Sequence, residues 1–135
     1  MKRAIVLVVV LAACETPMPS YAPPRVHRET WWVATCGDIR PYGVGHNITP
    51  PQLIERVPPR WPESAQGLLG IIILETVIDV EGNVCAARTL KTLEGPVGEE
   101  LGDAAIAAVR QWRFRPAIVN GKAGPVFYSL TVRIE

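Results

Sequence analysis

Leu101-Gly102-Asp103-Ala104-Ala105-Ile106-Ala107-Ala108-Val109-Arg110-Gln111-Trp112-Arg113-Phe114-Arg115-Pro116 is the stretch on which the fold turns. Leu101, Ala105, Ala108, Val109 and Trp112 fall at i, i+4, i+7, i+8 and i+11, which is one face of an α-helix, so that face is expected to be buried. The alanines at 104, 105, 107 and 108 keep the helix thin enough to lie close on a sheet, while Trp112 and Phe114 supply large apolar area. Pro116 is expected to end the helix, because a residue preceding proline is pushed out of the α region. Ala105, Val109, Trp112, Phe114 and Pro116 therefore read as a structural signature and not as a chemical one.

The partner of such a helix has to be a sheet. Residues 71–80 form the strongest strand candidate, with Ile72, Leu74, Ile78 and Val80 on one face and Ile71, Ile73 and Val77 on the other. Both faces are apolar, so a helix on one side leaves the other to be covered by Trp31 and Trp32 or by another copy of the domain. Asp79-Val80-Glu81-Gly82-Asn83 reads as a turn, and residues 84–91 return as a second strand of a hairpin. Asn120-Gly121 marks a further tight turn. In the last strand Val126, Tyr128, Leu130, Val132 and Ile134 alternate with Phe127, Ser129, Thr131 and Arg133. Before the hairpin, residues 52–57 suggest a short strand, and Pro62 suits the first position of a short helix that Gly67 and Gly70 would end. The expected fold class is α+β: a small antiparallel three-stranded sheet with two helices on one face.

With 135 residues, 48% hydrophobic and 20% charged, the chain supports one modest core plus an appended segment. A net charge of +1 with scattered basic residues gives nucleic acid no attractive stripe. Met1-Lys2-Arg3 followed by an apolar run over residues 4–13 fits an export signal, too short to cross a bilayer as a helix. Leu11-Ala12-Ala13-Cys14 resembles the lipobox of bacterial lipoproteins, so residues 1–13 are expected to be removed and Cys14 lipidated. Residues 14–44 then form a lipidated start, a tether and an apolar extension, and residues 45–135 the domain. The tether over residues 15–28 is rich in proline and polar residues, reaching at most about 46 Å. Residues 30–36 are β-prone and aromatic, and are expected to pack on the domain.

Of three cysteines, lipidation of Cys14 leaves Cys36 and Cys85, an even pair that makes a disulfide the default in an oxidising compartment. That bridge would contribute about 4 kcal/mol by the chain-entropy treatment. Zinc held by these thiols with His27 or His46 is the alternative, but the spacing of zinc motifs is missing. No cofactor or metal is expected. No nucleophile is paired with either histidine, and Glu99, Glu100 and Asp103 suit a helix start better than paired catalytic carboxylates, so an enzyme is not expected.

The ordered motifs Trp61-Pro62-Glu63-x-Ala65, the run from Gly70 to Val84, Ala104-Ala105-x-x-Ala108-Val109-Arg110-x-Trp112-Arg113-Phe114-x-Pro116, Asn120-Gly121-Lys122 and the last strand together resemble the C-terminal domain of TonB-type energy transducers. The resemblance implies a periplasmic module that binds the extended TonB box of an outer-membrane receptor, added as a strand beside the last strand of the sheet. It implies partner contacts at Trp61 and Pro62, where the family has Tyr-Pro, and along Val126, Tyr128, Leu130 and Val132. Trp61 reads more readily as a staple for the first helix than as a partner contact. Gly102 replaces the acidic residue that usually starts the family's second helix, and a lipid on Cys14 stands in place of the transmembrane anchor and long spacer. Direct contact with an inner-membrane motor is therefore not expected. The resulting expectation is a lipid-anchored envelope module, at the outer membrane in preference to the inner. It would capture an extended segment of an envelope protein such as a TonB-dependent receptor. The alternative is a structural subunit that homodimerises through the last strand without energy transduction.

Overall fold

The computed structural model describes residues 30–45 and 47–135, so the lipidation candidate Cys14, the expected export signal and both histidines lie outside the described residues. The centre of the molecule is an antiparallel sheet of β3 (Gly70–Ile78), β4 (Val84–Lys91) and β8 (Val126–Ile134), in the order β4-β3-β8. β3 and β8 run side by side without a break in register, from Gly70 opposite Ile134 to Ile78 opposite Val126. The hairpin between β3 and β4 closes on Asp79, whose Oδ1 accepts from the backbone N–H groups of Glu81 and Asn83 at 3.0 and 2.9 Å. Gly82 takes φ 84° at that corner, and its carbonyl accepts the Phe114 N–H at 2.9 Å. Val80 therefore belongs to the turn and is exposed; it does not extend the inner face of β3.

The inner face of the sheet carries Ile72, Leu74, Ile78, Val84, Val126, Leu130, Val132 and Ile134, packed with Leu101, Ala105 and Val109 of helix α2 (Pro96–Val109). The helix starts earlier and ends earlier than residues 101–116 suggest. Pro96 supplies a pre-set first turn after Gly95, whose φ of 85° turns the chain into it. The exit comes well before Pro116: Arg113, Phe114 and Arg115 alternate out, in, out as β5 (Arg113–Arg115), which pairs with β2 (Gln52–Glu55). Trp112 and Phe114 are still buried, as the apolar periodicity implies, but Phe114 enters the core from a strand. Gly102 brings α2 against β4, since a Cβ there would stand 2.8 Å from Thr89 Oγ1. That close approach favours glycine at this position.

The first helix is shorter than expected. Pro62 stays extended at ψ 161° and is followed by a single 3-10 turn, Glu63–Ala65, before Gly67 reverses the chain at φ 76°. Ala65 nonetheless reaches the core, and Ser64 Oγ donates to Glu100 Oε2 of α2 at 2.8 Å, so the turn occupies the predicted side of the sheet. β1 (Ile48–Thr49) pairs with β6 (Ile118–Val119), which turns through Asn120 and Gly121, both at positive φ, into β7 (Lys122–Ala123). These three form a second, smaller three-stranded sheet in the order β1-β6-β7.

The outer face is covered from within the chain. Residues 30–36, β-prone by composition, instead form a turn and the one-turn helix α1 (Val33–Cys36), whose last residue the Cys36–Cys85 disulfide joins to β4. Trp32, 8% exposed, sits on Val77 and Ala86, with the Phe127 ring at 5.0 Å edge to face. Its Nε1 donates to the Ile39 carbonyl at 3.1 Å. Of the two covers considered for this face, the tryptophans supply one; Ile71, further along β3, stays exposed.

Candidate functional site

β8 is an edge strand, and its backbone polarity decides what it can offer. Tyr42 lies against its start, donating its N–H to the Pro125 carbonyl at 2.8 Å and accepting the Phe127 N–H at 2.9 Å. Odd-numbered residues of β8 thus point their N–H and C=O groups away from the sheet, and even-numbered ones toward β3. Beyond Phe127, the outward groups are those of Ser129, Thr131 and Arg133, all three exposed. Among the described residues none of these groups has a backbone partner, which leaves a row of donors and acceptors at strand spacing.

A groove of about 270 Å³ runs beside this edge, lined by Leu53, Arg56, Trp112, Thr131, Arg133 and Glu135. Its floor is Trp112, which is 5% exposed and whose Nε1 donates to the Val57 carbonyl at 2.7 Å, while the Arg56 guanidinium lies 5.4 Å above the indole. A second groove, of about 320 Å³, is lined by Trp61, Pro62, Glu63, Ala65, Gln66, Gly67 and again Glu135. Glu135 borders both, so the Trp61-Pro62 motif and the distal end of the β8 edge occupy neighbouring surface.

The expected contact residues divide accordingly. The side chains of Val126, Leu130 and Val132 are buried in the core, and Tyr128 is half-buried with its ring 6.1 Å from Phe114. What these positions contribute is the backbone pairing with β3 that holds the edge straight. Trp61 is half-buried against the same core, as a staple would be, while still lining its groove. Ser129, Thr131, Arg133, Leu53, Arg56 and Tyr42 are additional residues at the edge. The alternation of β8 marks the first three as exposed, but nothing in the sequence links Leu53, Arg56 or Tyr42 to that strand. Cys36 and Cys85 come together as a disulfide. Among the described residues no cluster of three or more His, Cys, Asp and Glu side chains could hold a metal, and no helix is long and apolar enough to cross a membrane.

Comparison with known proteins identifies the family. Residues 57–135, more than half of the chain, match the family described as Gram-negative bacterial TonB protein C-terminal. Protein TonB of Vibrio cholerae serotype O1 is 32% identical over 91 residues, covering 65% of this chain and 35% of that protein. The chain thus matches about a third of that relative's length. The solution structure of the Pseudomonas aeruginosa TonB C-terminal domain superposes with a TM-score of 0.49 at 18% identity, over 70% of this chain and 92% of that one. With an α+β layer, an antiparallel β4-β3-β8 sheet and a family match running from Val57 to the last residue, the chain belongs to the TonB C-terminal family.

Proposed function

We propose that this protein is a lipid-anchored envelope module that binds an extended segment of another envelope protein, such as a TonB-dependent receptor, by adding it as a strand to the edge of β8. The observation that carries this reading is the row of unpartnered backbone groups at Ser129, Thr131 and Arg133 beside a preformed groove. Main-chain hydrogen bonds would supply affinity, and the groove would select the side chains that alternate toward it. Trp61 and Pro62 lie where a longer segment would continue past Glu135. Residues 45–135 constitute the binding domain and residues 14–44 the attachment, with Cys14 carrying the lipid on the periplasmic side of the outer membrane.

The edge is tested with Thr131→Pro, which removes one outward N–H while leaving the pairing with β3 intact. Crosslinked capture of TonB-dependent receptors or other envelope proteins from an envelope extract is expected to fall by about tenfold, equivalent to about 1.4 kcal/mol, with little change in melting temperature. Capture at the wild-type level by a folded Thr131→Pro protein would overturn strand addition at this edge. The anchor is tested separately. Cys14→Ser is expected to move the protein from the membrane fraction to the soluble fraction with an unchanged melting temperature, and retention of the variant on membranes would place the attachment elsewhere.

A further inference from the structure

Two packed clusters lie on opposite faces of the central sheet. The inner one holds the residues of α2, β3 and β8 described above, whereas the outer one consists of Trp32, Val77 and Ala86 with Trp31, Cys36, Ile39, Cys85 and Phe127 at its border. Residues 31–42 pack mainly on the outer cluster and on the start of the β8 edge. Arg88, paired with Glu75 at 2.7 Å, lies 4.7 Å over the Trp31 ring. Tyr42 closes the Pro125 to Phe127 end of the edge with two backbone hydrogen bonds. The segment's only helix is four residues long, far below what is stable alone, so its conformation depends on these attachments. The disulfide is the one covalent cross-link of the segment, and both of its cysteines are only partly buried. The match to the family's domain begins at Val57, so this segment is an addition to that domain and not part of its core.

We propose that residues 31–42 form a redox-controlled strap: with Cys36–Cys85 oxidised, Tyr42 stops the β8 edge at Phe127, and reduction releases the strap and lengthens the edge. The functional consequence rests on the reading of β8 as the binding edge; the release itself does not. A thiolate of a dithiol reductant attacks one sulfur and forms a mixed disulfide, and the reductant's second thiol then displaces the remaining protein cysteine. The protein's S–S bond is broken, one forms in the reductant, and the reductant's two electrons and two protons leave both cysteines as thiols. Release uncovers the Phe127 N–H and the Pro125 carbonyl, so that an incoming strand can pair along the whole of β8 and not only from Ser129 onward. Val77, Ala86 and the Phe127 ring would be uncovered at the same time, adding apolar surface next to the longer edge.

Hydrogen exchange on the full-length protein, oxidised and after dithiothreitol treatment, tests the strap without any partner. On reduction the Phe127 amide and the Trp32 indole N–H are expected to lose protection by about tenfold or more, as in local opening, while the Leu130 and Val132 amides facing β3 keep theirs. The pair Cys36→Ser and Cys85→Ser is expected to reproduce the reduced pattern without reductant. Unchanged protection of Phe127 and Trp32 in the reduced protein would overturn the proposal, since packing alone would then hold the strap. Loss of protection at Val132 as well would also overturn it, because the disulfide would then support the whole domain. Neither result bears on strand addition, which Thr131→Pro tests with the disulfide intact.

Discussion

Trp112→Ala is expected to destabilise the domain by about 3 to 5 kcal/mol, enough to unfold much of the population at physiological temperature. Trp112 lies in the inner core and is tilted 37° against Phe114 at 6.4 Å. Its Nε1–H satisfies the Val57 carbonyl at 2.7 Å, which ties the segment after β2 to the end of α2. Truncation thus removes a large buried ring and leaves an acceptor without its donor. The two losses can be separated, because Trp112→Phe keeps most of the ring area but not the N–H, and is expected to cost about 1 to 3 kcal/mol. Urea titration followed by circular dichroism reads both. A Trp112→Ala protein that unfolds at the wild-type midpoint would refute this assignment of the core. Since Trp112 also floors the groove beside β8, the milder Phe variant is the one suited to binding experiments.

The second large effect is expected at Gly82. A Cβ at this position would overlap the Phe114 carbonyl, and the backbone stands at φ 84°, where a β-branched residue is strained. Gly82→Val therefore has to move the hairpin away from β5, which breaks the hydrogen bond from the Phe114 N–H to the Gly82 carbonyl. The expected cost is on the order of 3 to 5 kcal/mol, combining strain with a lost buried hydrogen bond. The same titration measures it. A shift below about 1 kcal/mol would mean that the turn is not constrained by β5. Gly82 is thus fixed by its neighbour as much as by its own dihedral angle.

Local pattern carries far in this protein where one residue's environment is settled by its near neighbours in sequence. The period of Leu101, Ala105, Ala108 and Val109 specifies a buried helical face, and the alternation of β8 specifies its inner and outer sides. Asn120-Gly121 specifies a tight turn, since both residues accept positive φ. Cysteine arithmetic pairs Cys36 with Cys85 once Cys14 is set aside for lipid. The boundaries are less legible. Pro116 marks a place where a helix cannot continue, yet α2 ends at Val109 and Arg113–Arg115 pairs as a strand with β2, far away in sequence. Pro62 permits a helix, but Gly67 turns the chain after one 3-10 turn.

Residue type and periodicity, which act through bonds and near neighbours, were sufficient for the α+β class, the hairpin, the two faces of the last strand and the buried signature of Ala105, Val109, Trp112 and Phe114, whereas the last strand as a binding edge came from the family resemblance. The tertiary structure alone decided which backbone groups of that edge face outward, that Trp32 covers the outer face, and that Tyr42 closes one end of β8 while Leu53, Arg56 and Trp112 form a groove at the other. These are contacts between residues far apart in the chain. Their partners are chosen by the packing of the whole domain, and no local pattern of side chains records that choice.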